Sequence, residues 1–370
     1  MMNLQSKEEE VIDTQTFPQN GPSTVHQVRP LLDNRWVDFV HRCPHSTIFH
    51  TRPWLEALHK TYGYEPVVFT TSPPGAVIEN GLLFCRVNSW LTGRRLVSLP
   101  FSDSCEPLVE DVANMHNIFS AVEQEVLREK LLYAEIRQRR QMEVLSSLIY
   151  SNYSYCTHEI DLSPGLDTLF RNCHKSSTQR RIRRAERNNV RCVEGRSRSL
   201  FEDFYRLLVC TRRRHKIPPQ PRAWFENLAE CMGDSLKLRL AYEDQVPIAA
   251  ILTLRHKNVL VYKYGCSDAR FHGLGGMQLL FWRTIQEAKM AGMDLFDLGR
   301  SSPENLGLNR FKENLGGGRS TITYSRYGRS SDSMYTVGVP WKERVAKHIA
   351  SYLPDRMLES LGAVLYKHIG

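Results

Sequence analysis

The segment Arg270-Phe-His-Gly273-Leu-Gly275-Gly276 constrains this chain more than any other, because it sets glycines between a strand-like run and a helix-like one. Such a turn leaves backbone N–H groups aimed outward at the positive end of a helix dipole, where they suit a phosphate or pyrophosphate. A side chain at the glycines would block approach of the backbone to the anion. Arg270, Gly273, Gly275 and Gly276 are therefore candidate donor-binding residues. Upstream, residues 236–242, 247–255 and 258–266 read as strands joined by hairpin turns at Glu243-Asp244-Gln245 and His256-Lys257-Asn258. Downstream, Leu274, Met277, Phe281, Ile285 and Ala288 recur at helical spacing, Gly292 stops the helix, and 293–298 reads as a buried strand.

Antiparallel strands, a glycine turn, a helix and another strand together resemble the acyl-CoA-binding core of the GNAT acyltransferase superfamily. Just beyond it, Phe296-Asp297-Leu298-Gly299-Arg300-Ser301 is followed by Phe311-Lys312-Glu313-Asn314-Leu315-Gly316-Gly317. This pair of motifs resembles the FemAB family of peptidoglycan interpeptide-bridge aminoacyltransferases, and more closely their FemAB-like N-acyltransferase relatives in Gram-negative-type bacteria. The resemblance covers residues 30–330 and includes a basic helix at 174–189 with Val190-Arg191-Cys192-Val193-Glu194-Gly195 after it. It implies an α/β fold of the α+β kind, with two tandem GNAT-like domains carrying a mixed sheet each. The expected division is a disordered tail at 1–25, an N-terminal domain at 26–162, a C-terminal domain at 163–330 and amphipathic helices at 331–370.

The residue pattern of the first half supports a second copy. Helices are expected at 36–42 and 53–60, the latter capped by Thr51, and strands at 65–71, 80–89 and 94–100. A helix at 111–130 leads to a strand at 130–136, a short helix and connector at 139–150, and a strand at 156–162. This order repeats the second half without its glycine turn. A half that keeps the fold and lacks the phosphate turn is expected to shape the acceptor side, while the second half takes the donor.

The net charge of +9 favours anionic partners. Nine scattered cysteines with no Cys-x-x-Cys fit a reduced, cytoplasmic setting, and the histidines show no metal-ligand spacing, so no metal is expected. No run of about 18 apolar residues predicts a membrane span. The N-terminus has no basic and apolar leader pattern. Trp341, Val345, Ile349 and Leu353, then Met357, Leu358, Leu361, Val364 and Leu365, form apolar stripes interrupted by Pro354. These fit either a helical pair docked on the body or a peripheral contact of 341–370 with the inner membrane face.

Residues 171–198 carry ten Lys or Arg against Glu186 and Glu194. Ser176, Ser177 or Thr178 can cap this helix; Ile182 and Ala185 face inward, leaving Arg180, Arg183, Arg184 and Arg187 outward as candidate substrate-phosphate ligands, with Arg300 of the Phe-Asp-Leu-Gly-Arg-Ser motif as a fifth. The alternative is a solvated basic face. Arg212-Arg213-Arg214-His215-Lys216 ends the next helix, where cations also suit the dipole. Acyl transfer to an amine needs a neutral amine, a stabilised oxyanion and a proton for the leaving group. Lys312 matches the lysine of the family's Phe-Lys motif and is the first candidate for charge stabilisation. Asp297, in an apolar strand, needs a partner such as Arg300 or Arg310. Asp103, in Leu99-Pro100-Phe101-Ser102-Asp103-Ser104, occupies the place of an acceptor-binding acid in the family, although the loop differs from that of the bridge-forming enzymes. Tyr264 could protonate a leaving thiolate, or pack.

No Gly-x-Ser-x-Gly elbow and no Gly-x-x-x-x-Gly-Lys-Ser/Thr loop occurs, so covalent acyl-enzyme and nucleotide-hydrolysis readings fall away. The expectation is a cytoplasmic N-acyltransferase working through a ternary complex, with no tightly bound cofactor. The donor is acyl-CoA or aminoacyl-tRNA, and the acceptor an amine of an anionic, in one variant lipid-linked, cell-envelope or exopolysaccharide precursor. The rival is a non-enzymatic protein that binds nucleic acid or a membrane surface on a decayed transferase fold.

Overall fold

The protein is described by a computed structural model covering residues 24–139, 148–328 and 354–369. The tail expected at 1–25, most of the connector at 139–150 and the first apolar stripe after residue 330 lie mostly or wholly outside these residues.

The first half runs β1 (His26–Val28), α1 (Asn34–Arg42), α2 (Arg52–Tyr62), β2 (Glu65–Thr70), β3 (Leu82–Ser89), β4 (Gly93–Ser98), α3 (Val112–Arg128), β5 (Tyr133–Gln138) and β6 (Ile149–Asp161). The second runs α4 (Leu166–Asn172), α5 (Arg180–Arg187), β7 (Arg191–Gly195), α6 (Arg198–Arg214), α7 (Arg222–Met232), β8 (Leu236–Glu243), β9 (Val246–His256) and β10 (Val259–Ser267). It continues with α8 (Gly276–Met290), β11 (Leu295–Ser301), α9 (Leu306–Asn314) and β12 (Gly318–Gly328), and α10 (Asp355–Ile369) closes the described chain. Local chemistry sets many ends. Asp33, Asp111 and Ser197 cap α1, α3 and α6 through side-chain oxygens, and Gly63 ends α2 at φ +72. Thr51 stands at the start of α2, but its hydroxyl donates to the Ile48 carbonyl instead of capping. The segment before α5 is a π-type turn over Lys175–Gln179, capped by the His174 ring rather than by a hydroxyl.

The mixed sheets expected of the two halves are joined into one twelve-stranded sheet, ordered β1-β2-β3-β4-β5-β12-β6-β11-β10-β9-β8-β7. The order reads alike from both edges. Each half supplies an antiparallel set, a parallel fourth-to-fifth pair (β4·β5 and β10·β11), and a sixth strand. Those sixth strands are exchanged: β6 pairs with β11, β12 pairs with β5, and β6 and β12 pair with each other along eleven residues. The halves therefore share a continuous backbone ladder.

Helices cover both faces. On one, α2 and α7 pack across the halves, with Trp54 and Trp224 edge to face at 5.3 Å, in a core that includes Leu83, Val97, Leu238 and Leu252. On the other, α8 with α5 covers the second half and α3 covers the first, in separate cores. Helix α10 docks on the body: Leu358 is fully buried, the Tyr64 hydroxyl donates to the carbonyls of Tyr366 and Lys367, and Arg95 Nη2 donates to the His368 carbonyl at 2.9 Å. No helix among the described residues is long and apolar enough to cross a membrane.

Candidate functional site

The parallel pair β10·β11 is short. Val259, Leu260 and Val261 face Leu295, Phe296 and Asp297, and beyond these the strands part. Strand β10 stays with β9 to Ser267, while β11 turns to β6, with irregularities between Tyr262 and Tyr264 and between Asp297 and Arg300. The sheet opens at this point, and a cavity of about 970 Å³ fills the opening, bounded by β10, β11, the start of α8, the end of α6 and α9.

One end of the cavity is electropositive. Gly276, Met277 and Gln278, the first turn of α8, line it, and their backbone N–H groups donate to no partner among the described residues. Arg181, Arg212 and Arg214 stand around them. The Arg212 Nε is buried with no hydrogen-bond partner, which fits a group waiting for an anion. Of the glycines singled out from sequence, Gly276 lines the cavity. Gly275, at φ +82, is required by a different neighbour than expected: a β-carbon there would sit 2.4 Å from the Arg181 carbonyl oxygen, so it admits α5 rather than a ligand. Gly273 is exposed with open space around it, and Arg270 lies outside the cavity, its guanidinium held by Asp268 at 2.6 Å.

The other end gathers charges from both halves. Lys312 on α9 is buried, and its Nζ donates to the carbonyls of Gly299 at 2.7 Å and Arg300 at 3.2 Å and to Ser301 Oγ at 2.7 Å. All three ammonium hydrogens are thus engaged by β11 where Gly299, at φ +71, bends it. Burial draws the Lys312 ammonium down to about 8, helped by Lys263 and Arg300 and opposed by Asp103 and Asp297. Asp103 reaches in from the loop after β4 and pairs with Lys263 Nζ at 2.9 Å. Burial alone would raise its carboxyl, yet the charges of Lys263, Arg300 and Lys312 hold it below the usual carboxylate range. The loop is fixed: Arg137 donates to the Leu99 and Ser102 carbonyls, and the Tyr324 hydroxyl donates to the Asp103 carbonyl at 2.7 Å. Arg300 lies over the rings of Tyr155 and Tyr324, at 4.5 and 5.0 Å, which themselves meet at 4.8 Å.

Lys312, Asp103, Asp297 and Arg300 therefore meet in one place. The partner expected for Asp297 is corrected: its carboxylate takes Arg139 Nη2 at 2.6 Å and the Gly299 N–H at 2.7 Å, neither Arg300 nor Arg310. The Tyr264 hydroxyl accepts from Trp224 Nε1 at 2.9 Å and Gln220 Nε2 at 3.0 Å, so its oxygen is occupied by α7 and the loop before it. Arg180, Arg183 and Arg187 line a separate shallow recess with Glu186, and Arg184 is exposed. The basic residue of that helix that borders the main cavity is Arg181. Lys263 was not anticipated, although a lysine inside Val259-Leu-Val-Tyr-Lys263-Tyr-Gly-Cys266 breaks an apolar run and so carried a signal. Its side chain is 6 % exposed and lies over Phe49, Trp54 and Tyr264. No group of His, Cys, Asp and Glu among the described residues is arranged to hold a metal.

Residues 174–313 match the acetyltransferase (GNAT) domain family. The search of curated proteins returned no match. Among solved structures, FemX superposes with a TM-score of 0.60 at 13% identity, over 78% of this chain and 95% of FemX. The C-terminal domain of a putative lysylphosphatidylglycerol synthetase from Agrobacterium fabrum gives 0.52 at 13% identity, over 82% of this chain and 93% of that one. A tandem GNAT protein of the clavulanic acid biosynthesis pathway gives 0.51 at 8% identity, over 83% of this chain and all, 100%, of that one.

Proposed function

We propose that this chain, whose residues 174–313 match the acetyltransferase (GNAT) domain family and whose fold is similar to that of FemX, is an acyltransferase that moves an acyl group from acyl-CoA to an amine, the donor lying in the opening between β10 and β11. The observation that carries this reading is the parting of those strands. The edge of β10 from Tyr262 to Cys266, which β11 leaves, offers backbone groups to an extended amide-bearing arm, and ends at Ser267, whose N–H and carbonyl are taken by Thr211 and Arg214. At its outer end Arg181, Arg212, Arg214 and the first turn of α8 supply charge and N–H groups for a pyrophosphate. At its inner end sit Lys312, Asp103, Lys263 and Arg300, where a thioester carbonyl would arrive.

In that placement the amine attacks the thioester carbon, the oxyanion collapses, the C–S bond breaks, and the amine's proton leaves for solvent or a nearby carboxylate. The thiolate takes up a proton in turn. A Lys312 ammonium drawn to about 8 is well matched to a thiol of ordinary pKa about 8.5, so Lys312 stabilises the departing charge and can protonate it by releasing its longest bond, the one to the Arg300 carbonyl at 3.2 Å. Asp103, held ionised, orients the incoming amine with Lys263 beside it. The acceptor class that the FemAB-like resemblance implies, a cell-envelope or exopolysaccharide precursor, is consistent with sharing a fold with a putative lysylphosphatidylglycerol synthetase domain. A second reading, aminoacyl-tRNA as donor, is favoured by one observation, the outward arginines Arg180, Arg183 and Arg187.

Calorimetric titration decides. Acetyl-CoA should bind the wild type, and Arg212→Gln should weaken it by about tenfold, the loss expected for one charge-assisted contact. Binding of deacylated tRNA with no response to CoA would transfer the assignment to the second reading, and no response to either would remove the donor site.

A further inference from the structure

A second cavity, of about 1170 Å³, lies between the first-half loops and β9, β10 and β11, and its wall includes Val259, Val261, Leu295 and Asp297 where those strands are still paired. The donor opening begins one residue further on, at Tyr262 and Leu298. The two cavities thus flank the place where the sheet divides, and an acceptor entering the second one approaches the acyl carbon from the side the donor leaves free. The placement of that carbon rests on the function proposed above.

The charge of this second cavity is graded. Six carboxylates line it, those of Glu79, Glu106, Glu110, Asp111, Glu159 and Asp297, against Arg42 and Arg139 among the described residues. The inner acids are compensated: Arg139 bridges Glu159 and Asp297, and its own N–H donates to Glu106 Oε1 at 2.7 Å. The outer acids are not. Glu79 and Glu110 are exposed and their carboxylates have no protein partner among the described residues, and Asp111 only caps α3. Arg42 is turned to the Ile78 carbonyl at 3.2 Å. His256 adds no charge at neutral pH, since burial lowers it to about 4. The lining also includes the apolar side chains of Phe39, Ile48, Phe49 and Val109.

A single reacting amine gains nothing from carboxylates at the rim, and uncompensated carboxylates close to it, unlike Asp103 with its Lys263 partner, would hold it protonated and unreactive. We infer that this cavity selects a dicationic acceptor: one amine enters the compensated interior and reacts, while a second ammonium, an apolar chain away, is held by Glu79, Glu110 and Asp111. An anionic group at the second position is disfavoured by the same carboxylates.

The test uses three probes with one chain length, 1,5-diaminopentane, 1-aminopentane and 5-aminopentanoate, titrated into the full-length protein without donor. The diamine should bind about tenfold more tightly than 1-aminopentane, as two modest ion pairs would give, and 5-aminopentanoate most weakly. In Glu79→Gln/Glu110→Gln, whose side chains are exposed and partnerless, that advantage should shrink to about twofold while acetyl-CoA binding is unchanged. Equal affinities for the three probes, or an advantage that survives both substitutions, would overturn the inference. If acetyl-CoA binds but the amines are not distinguished, this inference alone fails. If the diamine is selected but no donor binds, the transferase reading fails and the dication site stands.

Discussion

Replacing Lys312 by Met tests the centre of the site most severely. The substitution keeps most of the stem and deletes the ammonium. Three acceptors lose their donor, the Gly299 and Arg300 carbonyls and Ser301 Oγ. The two bonds at 2.7 Å matter most, and each buried acceptor left bare costs about 1–3 kcal/mol. Against this, the charge is costly to bury. A fall from 10.5 to about 8 corresponds to about 3 kcal/mol of disfavoured protonated form at neutral pH. The two effects oppose each other, and the net loss for Lys312→Met at pH 7 should be small, no more than about 3 kcal/mol.

Their pH dependence separates them. Below pH 8 the lysine is protonated in both folded and unfolded chains, so the burial cost is fully present. Between about 8 and 10.5 the unfolded chain holds a proton that the folded one has released, so stability of the wild type rises with pH. The variant lacks this gain. The gap between wild type and Lys312→Met, measured by urea unfolding, should therefore widen by about 2 kcal/mol from pH 7 to pH 9.5. Turnover of the folded variant should fall by about 10²–10³, the usual loss of one preorganised charge donor. A gap that stays constant with pH would refute the buried ammonium, and near-normal turnover would refute its part in the reaction.

Three further outcomes follow from neighbouring contacts. Wild-type turnover at saturating amine should decline above about pH 8 as Lys312 loses its proton, the third acceptor being left without a donor; a profile flat to pH 10 would exclude this. Asp103→Asn strands a lysine that is 6 % exposed and should cost about 3–5 kcal/mol by urea unfolding, and adding Lys263→Met should recover part of it, whereas simple additivity would show the pair to be uncoupled. Gly275→Val should lower the melting temperature and increase hydrogen exchange in α5, because its β-carbon collides with the Arg181 carbonyl; an intact α5 with lost donor binding would restore a direct phosphate role to that glycine.

Much of this arrangement is written locally in the sequence. The hairpin turns around Asp244 and Lys257, both at positive φ, fall where turn chemistry places them, and Gly292 ends α8 as expected. Phe-Asp-Leu-Gly-Arg-Ser and Phe-Lys-Glu put Asp297, Arg300 and Lys312 together because α9 folds straight back onto β11. What local pattern does not encode is pairing between distant strands. Nothing in residues 318–328 announces that β12 inserts between β5 and β6, and the partner of Asp297 is consequently an arginine 158 positions earlier. The arginines of α5 expected to face outward, Arg180, Arg183, Arg184 and Arg187, are exposed, but the side chain that meets the cavity is Arg181, because helix α5 lies across the glycine turn and brings that residue to it. Lys263 sits at a β-bulge, and a bulge leaves no periodic trace beyond one polar residue in an apolar strand.

The exchange of sixth strands also explains why the cluster of Asp103, Lys263, Arg300 and Lys312 is made from two halves. Asp103 comes from a first-half loop, yet what holds that loop is Tyr324 on β12 and Arg137 on β5, neighbours in the ladder created by the exchange. Arg300 on β11 stacks on Tyr155 of β6 and Tyr324 of β12, so its position depends on the same ladder. Beneath them Glu135 is drawn to about 2: burial opposes ionisation, and the flanking Arg137 and Arg326 overcome it. A charged group buried in this way is costly unless its partners are fixed, and here the partners lie on adjacent strands of a continuous sheet. Two domains hinged by a linker could not hold Asp103 within hydrogen-bond reach of Lys263 without ordering that hinge on every turnover. A shared ladder orders it once, during folding, and leaves the two cavities on either side of the divided sheet.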